Sequence, residues 1–106
     1  MEQLASLFSA LADPTRLRIL SLLSDGELCV CHLQQALGTH QPKISRHLAY
    51  LRRTGLVEPK RNGKWMYYAL SKTNQSLSPI LNTILKELEK EKQAVLDRKR
   101  IQKTCA

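Results

Sequence analysis

The chain has no apolar run near the ~20 residues that a membrane-spanning helix requires, and no basic-then-apolar leader opens it. Its cysteines are few and odd in number, at 29, 31 and 105, so they cannot close into the disulfide framework of a small secreted domain. A cytoplasmic protein with no membrane partner is expected, its thiols open to metal or redox chemistry. A C-x-x-C dithiol near a βαβ pattern is missing, as are a phosphate-binding glycine loop, a Ser-His-Asp order and paired acids. No enzyme is expected. Composition excludes the extremes too: 42% hydrophobic and 25% charged residues are neither fibrous nor disordered values. A length of 106 residues fits one domain with a modest core, which gains from dimerisation.

What the chain does have is positive charge in one place. Of its net +8, residues 43–64 carry +6, with seven basic residues against Glu58, whereas residues 1–42 are net −2. A short basic block of this kind suits a surface that meets a polyanion, although a solvated charged face gives the same count.

Periodicity and punctuation outline the elements. Leu4, Leu7, Phe8 and Leu11 predict a helix over 3–12. Asp13-Pro14 reads as an N-cap followed by a tolerated proline, starting a second helix that ends at Ser24-Asp25-Gly26. Arg16 and Arg18 near its start oppose the helix dipole and suit a phosphate, a carboxylate or solvent. A third helix is expected from Glu27 to Leu37, closed by Gly38. The turn Thr39-His40-Gln41-Pro42, with Thr39 as N-cap, leads to a fourth helix. It runs to about Thr54, with Ile44, Leu48 and Leu51 facing the core. Strands over 56–58 and 64–70 flank Asn62-Gly63, a strong hairpin signal. After a polar link at 71–76, the stripe Ile80, Leu81, Ile84, Leu85 and Leu88 predicts one long helix over 77–98.

The fold class is therefore mainly α with a small β-hairpin: a winged helix-turn-helix of order α-α-α-α-β-β-α in a single domain, 1–106. Residues 28–57 form the helix-turn-helix and 56–70 the wing. A lone helix cannot cover the stripe of 77–98, so that segment and helix 3–12 are assigned to pairing with a second copy.

In such a fold the second helix of the motif enters the major groove, and its N-terminal residues meet base edges. Here the candidates are His40, Gln41, Lys43, Ser45, Arg46, His47 and Tyr50. Gln can be bidentate to adenine and Arg or Lys to guanine, while Ser45 suits a phosphate oxygen. Arg52 and Arg53 suit the backbone or solvent. At the wing, Arg61 and Lys64, beside Lys60, could reach adjacent phosphates or the minor groove.

Cys29 and Cys31 carry separate chemistry. Thiolates are soft ligands and select thiophilic ions. Residues i and i+2 diverge on an intact helix but share a face in an extended segment. If both grip one ion, the start of their helix should unwind and disturb the motif behind it. Zn(II), Cd(II), Cu(I) and thiol oxidation are alternatives for the same pair. Two buried cysteines acting as small apolar residues are the bland one.

Together, ADPTRLRILSLL, ELCVCHL, HQPKISRHLAYLRRTGLV and RNGKWMYYAL resemble the ArsR/SmtB family of winged-helix metalloregulatory repressors over roughly residues 3–90. The resemblance implies a homodimer that blocks its own palindromic operator and releases it when inducer binds. ELCVC is similar to the site at which arsenical repressors sense As(III) or Sb(III), here without any organic cofactor. That subgroup often has a further cysteine three residues after the second, where this chain has Gln34. Cys105, from either chain, is a candidate third donor, and His32 a candidate nitrogen ligand for zinc or cadmium. The family's other common site uses histidines on the last helix, and residues 77–96 contain none.

Overall fold

A computed structural model of the chain describes residues 1–72 and 78–101. Helix α1 (Glu2–Leu11) buries Leu7, Ala10 and Leu11 but leaves Leu4 and Phe8 outside. Its end is followed by Asp13, whose carboxylate accepts from the Arg16 N–H at 3.0 Å and caps α2 (Pro14–Leu23). Helix α2 is the central element. Its Ile19, Leu20, Leu22 and Leu23 are buried against the other helices.

The helix-turn-helix consists of α3 (Val30–Leu37) and α4 (Gln41–Arg53). Gly38 stops α3 in the left-handed region at φ 63°, and its N–H bonds the Gln34 carbonyl. This is a conformation that glycine adopts without the Cβ penalty. Leu33, Ala36 and Leu37 of α3 and Ile44, Leu48 and Leu51 of α4 meet in the core. The N-cap of α4 is His40 rather than Thr39, and it makes no side-chain cap bond. The Thr39 hydroxyl instead donates back to the Leu37 carbonyl at 3.3 Å.

The wing is longer than expected at its first strand: β2 (Val57–Asn62) pairs antiparallel with β3 (Trp65–Leu70). Asn62 and Trp65 face each other, so the two-residue loop is Gly63-Lys64. Only Gly63 has positive φ there, the pattern of a type II′ turn rather than the type I′ usual for Asn-Gly.

The winged helix-turn-helix architecture stands, with two departures from the expected element order. First, Leu28 and Cys29 form a short strand, β1, instead of the first turn of α3. Leu28 pairs with Tyr68 and Cys29 with Tyr67, making a sheet of order β1-β3-β2. Pairing with the wing satisfies backbone groups that a helix would otherwise have used, so tertiary context decides the conformation. Second, the C-terminal segment is two helices, α5 (Ser78–Glu89) and α6 (Lys92–Arg100), broken at Lys90 and the extended Glu91. After Leu88 the charged stretch has no apolar partner until Ala94, and α6 turns to bury Ala94 and Asp97 against α2. Asp97 is wholly buried. Arg18 holds it with two bonds of 2.8 and 2.9 Å, and Gln93 adds a third of 2.9 Å. Arg18 is thus a carboxylate partner. This bond raises its pKa, against the opposing effect of burial. Among the described residues no helix is long and apolar enough to cross a membrane.

Candidate thiol site and nucleic-acid interface

The thiol pair forms where a strand becomes a helix. Cys29 ends β1 with φ −82° and ψ 163°, while Cys31 lies in the first turn of α3. One residue is extended and the other helical, so the divergence of i and i+2 on a helix does not apply. The two sulfurs are in contact at 2.6 Å, with Cys29 buried and Cys31 half-buried. A non-helical residue is already present at the head of α3, paired with β3 of the wing, so the sulfurs meet with α3 intact.

His32 completes a compact group with the cysteines, whose potential ligand atoms lie within 4.8 Å of one another. Its Nδ1, however, accepts from the Cys29 N–H at 3.3 Å, forming half of a capping box at the head of α3. A neutral imidazole that accepts at Nδ1 carries its proton on Nε2. His32 therefore has no free lone pair until the cap is broken. Soft, thiophilic ions fit the two sulfurs best.

A shallow cleft runs over the pair. Its walls include Gln34, Gln41 at the start of α4, and Lys64, Trp65 and Met66 of the wing. The Lys64 ammonium stands 5.5 Å from the Trp65 ring centre. No sequence pattern marks Trp65 and Met66 as neighbours of the cysteines, because it is the β1–β3 pairing that brings them there. Glu27 and Lys60 add a 3.8 Å ion pair between the start of β1 and β2, both half exposed and so of little weight. Cys105 lies outside the described residues.

The basic block is presented by α4 and the wing. His40, Gln41, Lys43, Ser45 and Arg46 are exposed along the first turns of α4, and Arg61 and Lys64 are exposed at the wing. Arg16, Lys43, Arg46, Arg52 and Arg53 line one open groove with His47 and Tyr50. His47 and Tyr50 are half-buried and already engaged within the chain. Tyr50 meets the Ser9 hydroxyl at 2.9 Å, and its ring lies 4.2 Å beneath the Arg16 guanidinium. Arg16 also donates to the Ala10 and Ser9 carbonyls at 2.8 and 3.0 Å, and to His47 Nδ1 at 3.5 Å. It thus ties the end of α1 to the reading helix, a role that no sequence pattern announced. Burial lowers the His47 pKa below 6.5; Asp13 opposes this, while Arg16, Lys43 and Arg46 reinforce it. Burial alone would raise the Asp13 pKa, but the Arg16 N–H, His47 and the Arg16 charge together bring it below 3.8.

Comparison with known proteins fits this arrangement. The profile described as "Bacterial regulatory protein, arsR family" matches residues 13–59. The Escherichia coli (strain K12) arsenical resistance operon repressor is 61% identical over 66 residues, covering 61% of this chain and 56% of that protein. The arsenical resistance operon repressor of Staphylococcus xylosus is 39% identical over 87 residues, 77% of this chain and 83% of that protein. Against the first curated relatives, the chain spans little more than half of their length, 50–56%. The homodimeric winged helix-turn-helix DNA-binding domain Mb0332 from Mycobacterium bovis superposes with a TM-score of 0.71 at 31% identity, over 83% of this chain and 80% of that one. A basic α4, a wing and paired cysteines thus coincide with a match across most of the Staphylococcus repressor, and the chain belongs to the arsR family of bacterial regulatory proteins.

Proposed function

We propose that the chain is a cytoplasmic repressor that binds palindromic operator DNA as a homodimer and dissociates when As(III) or Sb(III) occupies the Cys29 and Cys31 thiolates. The observation that carries this reading is the 2.6 Å approach of the two sulfurs at the junction of wing and reading motif. An ion held there touches β1, which is paired with β3, and α3, which packs on α4. Strain at the ion is passed to both elements that meet DNA, without melting α3.

In the DNA complex, Gln41, Lys43 and Arg46 read base edges, His40 and Ser45 contact phosphates, and Arg61 and Lys64 extend the footprint from the wing. His47 and Tyr50 act at the edge of this surface and orient the helix through Arg16. The motif occupies 28–57 and the wing 56–70 of a single domain, 1–106. The dimer forms through segments 3–12 and 77–98, where Leu4, Phe8 and Ile80 lack cover within the protomer. The Mycobacterium bovis neighbour is a homodimer, and the Escherichia coli and Staphylococcus relatives are arsenical resistance repressors, which supports this assignment.

The test is a gel shift on the palindrome upstream of the chain's own gene, titrated with As(III), Sb(III), Cd(II), Zn(II) and Cu(I), beside peroxide. Release by the arsenic and antimony ions at the lowest concentrations is expected. Release by zinc or cadmium alone would favour a second reading, in which His32 gives up its cap and joins the thiolates, as its proximity allows.

A further inference from the structure

A single guanidinium links α1, α2 and α4 beside the basic groove. Arg16 belongs to α2, yet its Nε and Nη2 donate to the Ala10 and Ser9 carbonyls at 2.8 and 3.0 Å. Both carbonyls lie in the last turn of α1, where a helix leaves acceptors short of partners and its dipole favours a cation. The same guanidinium covers the Tyr50 ring of α4 at 4.2 Å and lies 3.5 Å from His47 Nδ1. Tyr50 closes the ring of contacts, its hydroxyl meeting that of Ser9 at 2.9 Å. The Arg16 side chain is 15% exposed, so it is committed to these contacts rather than solvated.

The inner face of α4 is held differently. Ile44, Leu48 and Leu51 anchor it in the core through apolar contact, which has no direction of its own. Such contact fixes the depth of a helix more firmly than its roll about its axis. His47 and Tyr50 lie on the outer face, lining one groove with Arg16, Lys43, Arg46 and Arg53. Directional bonds from the end of α1 to this face therefore set the roll of α4. Helix α1 also carries the exposed Leu4 and Phe8, assigned to pairing with a second copy. In a two-fold dimer, whatever ties α4 to α1 also fixes the separation and relative angle of the two reading helices.

We infer that Arg16 is a positioning residue that sets which half-site spacing the dimer accepts, by latching α4 of each protomer to α1. This rests on the reading of the chain as a dimer that pairs through α1 on palindromic DNA. One inserted base pair moves a half-site by about 3.4 Å and turns it by about 35°. With the latch closed, a misfit operator is met only by straining both protomers. With it open, α4 rolls to follow the displaced groove, and the native spacing loses its advantage.

The test uses the palindrome upstream of the chain's own gene, and the same duplex with one or two base pairs inserted at its centre. Wild type, Arg16→Gln and Ser9→Ala are titrated by anisotropy over a range of salt, with sedimentation to count protomers per duplex. Ser9→Ala removes one hydroxyl from an exposed helical position that alanine favours, so it decides the matter should Arg16→Gln fail to fold. Wild type should bind the single insertion at least about tenfold more weakly than the native palindrome. Arg16→Gln should narrow that ratio to about threefold or less, and Ser9→Ala should halve it, each still bound as a dimer. The wild-type ratio in Arg16→Gln, or in Ser9→Ala where the first does not fold, overturns the inference. An equal loss of affinity at every spacing, with a salt slope lowered by about one, also overturns it and makes Arg16 a phosphate contact. Binding of Arg16→Gln as single protomers overturns it in favour of a role in dimer stability. If wild type itself ignores the insertions, the reading of a dimer on a palindrome fails, and the inference with it.

Discussion

Helices α3 and α4 are neighbours in one motif, yet their N-termini are finished in opposite ways. The head of α3 is closed: Cys29 is paired into the wing, His32 accepts its N–H, and the two sulfurs touch. The head of α4 is open: His40 makes no side-chain cap bond, and Gln41, Lys43, Ser45 and Arg46 project into solvent. Pro42 has no N–H, and the Lys43 and Ile44 N–H groups both reach the His40 carbonyl, so the preference of this end for an anion comes from its basic side chains and the helix dipole. Under the proposed function, one end takes a ligand that forms bonds to sulfur and the other a polyanion. On that proposal, sensing falls to the head of α3 and reading to the head of α4, with α3 itself and one glycine-terminated turn between them.

The comparison is broken most severely from behind α3. Arg18→Ala leaves the buried Asp97 with Gln93 as its one hydrogen-bond partner among the described residues, and losing one member of a buried pair costs about 3 kcal/mol. Urea unfolding should show that loss; an unchanged midpoint would mean that α6 is not clamped on α2.

Damage confined to α4 should separate the two functions. Arg46→Ala is expected to weaken operator binding by about 1–3 kcal/mol and relax base preference at one position, as for loss of a bidentate contact. The arsenite concentration that releases the remaining complex should not move. Anisotropy of a labelled operator at fixed salt measures both quantities.

The joint between the helices is tested by Gly38→Ala. A Cβ there meets no atom, so the penalty is backbone strain at φ 63°, about 1 kcal/mol. Because both helix ends depend on this turn, stability should fall by that amount in thermal or urea melts, without loss of the thiol contact.

The smallest effect is expected from pH. The folded state lowers the His47 pKa from 6.5, with burial as the leading cause. The unfolded chain then takes up the proton first, so stability should fall as pH drops below about 6.5. His47→Gln should flatten this slope between about pH 7.5 and 5.5, read as the shift in urea midpoint. Asp13, with its pKa held below 3.8, titrates outside that window.

Much of the domain was legible because its rules are local. Asp13-Pro14 marked the start of α2, Gly38 its neighbour's end, and Ile44, Leu48 and Leu51 the inner face of α4. The unread features depend on distant partners. β1 is two residues long, too short to alternate, and exists because β3 is available. The turn between α5 and α6 has neither glycine nor proline; it follows from Arg18 and Asp97, 79 residues apart. At the site, C-x-C spacing conflicts with an intact helix, and the structure resolves the conflict by making Cys29 extended and Cys31 helical. Tyr50 is a candidate base-reading residue from its position on α4, whereas its place under Arg16 follows only from the packing of α1.

The central claim is that the closed head of α3 senses and the open head of α4 reads. It is tested most directly by titrating arsenite into a preformed complex of labelled operator with wild type and with Cys29→Ser, Cys31→Ser. Wild type should release the DNA, while the double variant binds it comparably and stays bound throughout. Release of the double variant at the wild-type arsenite concentration would contradict the account.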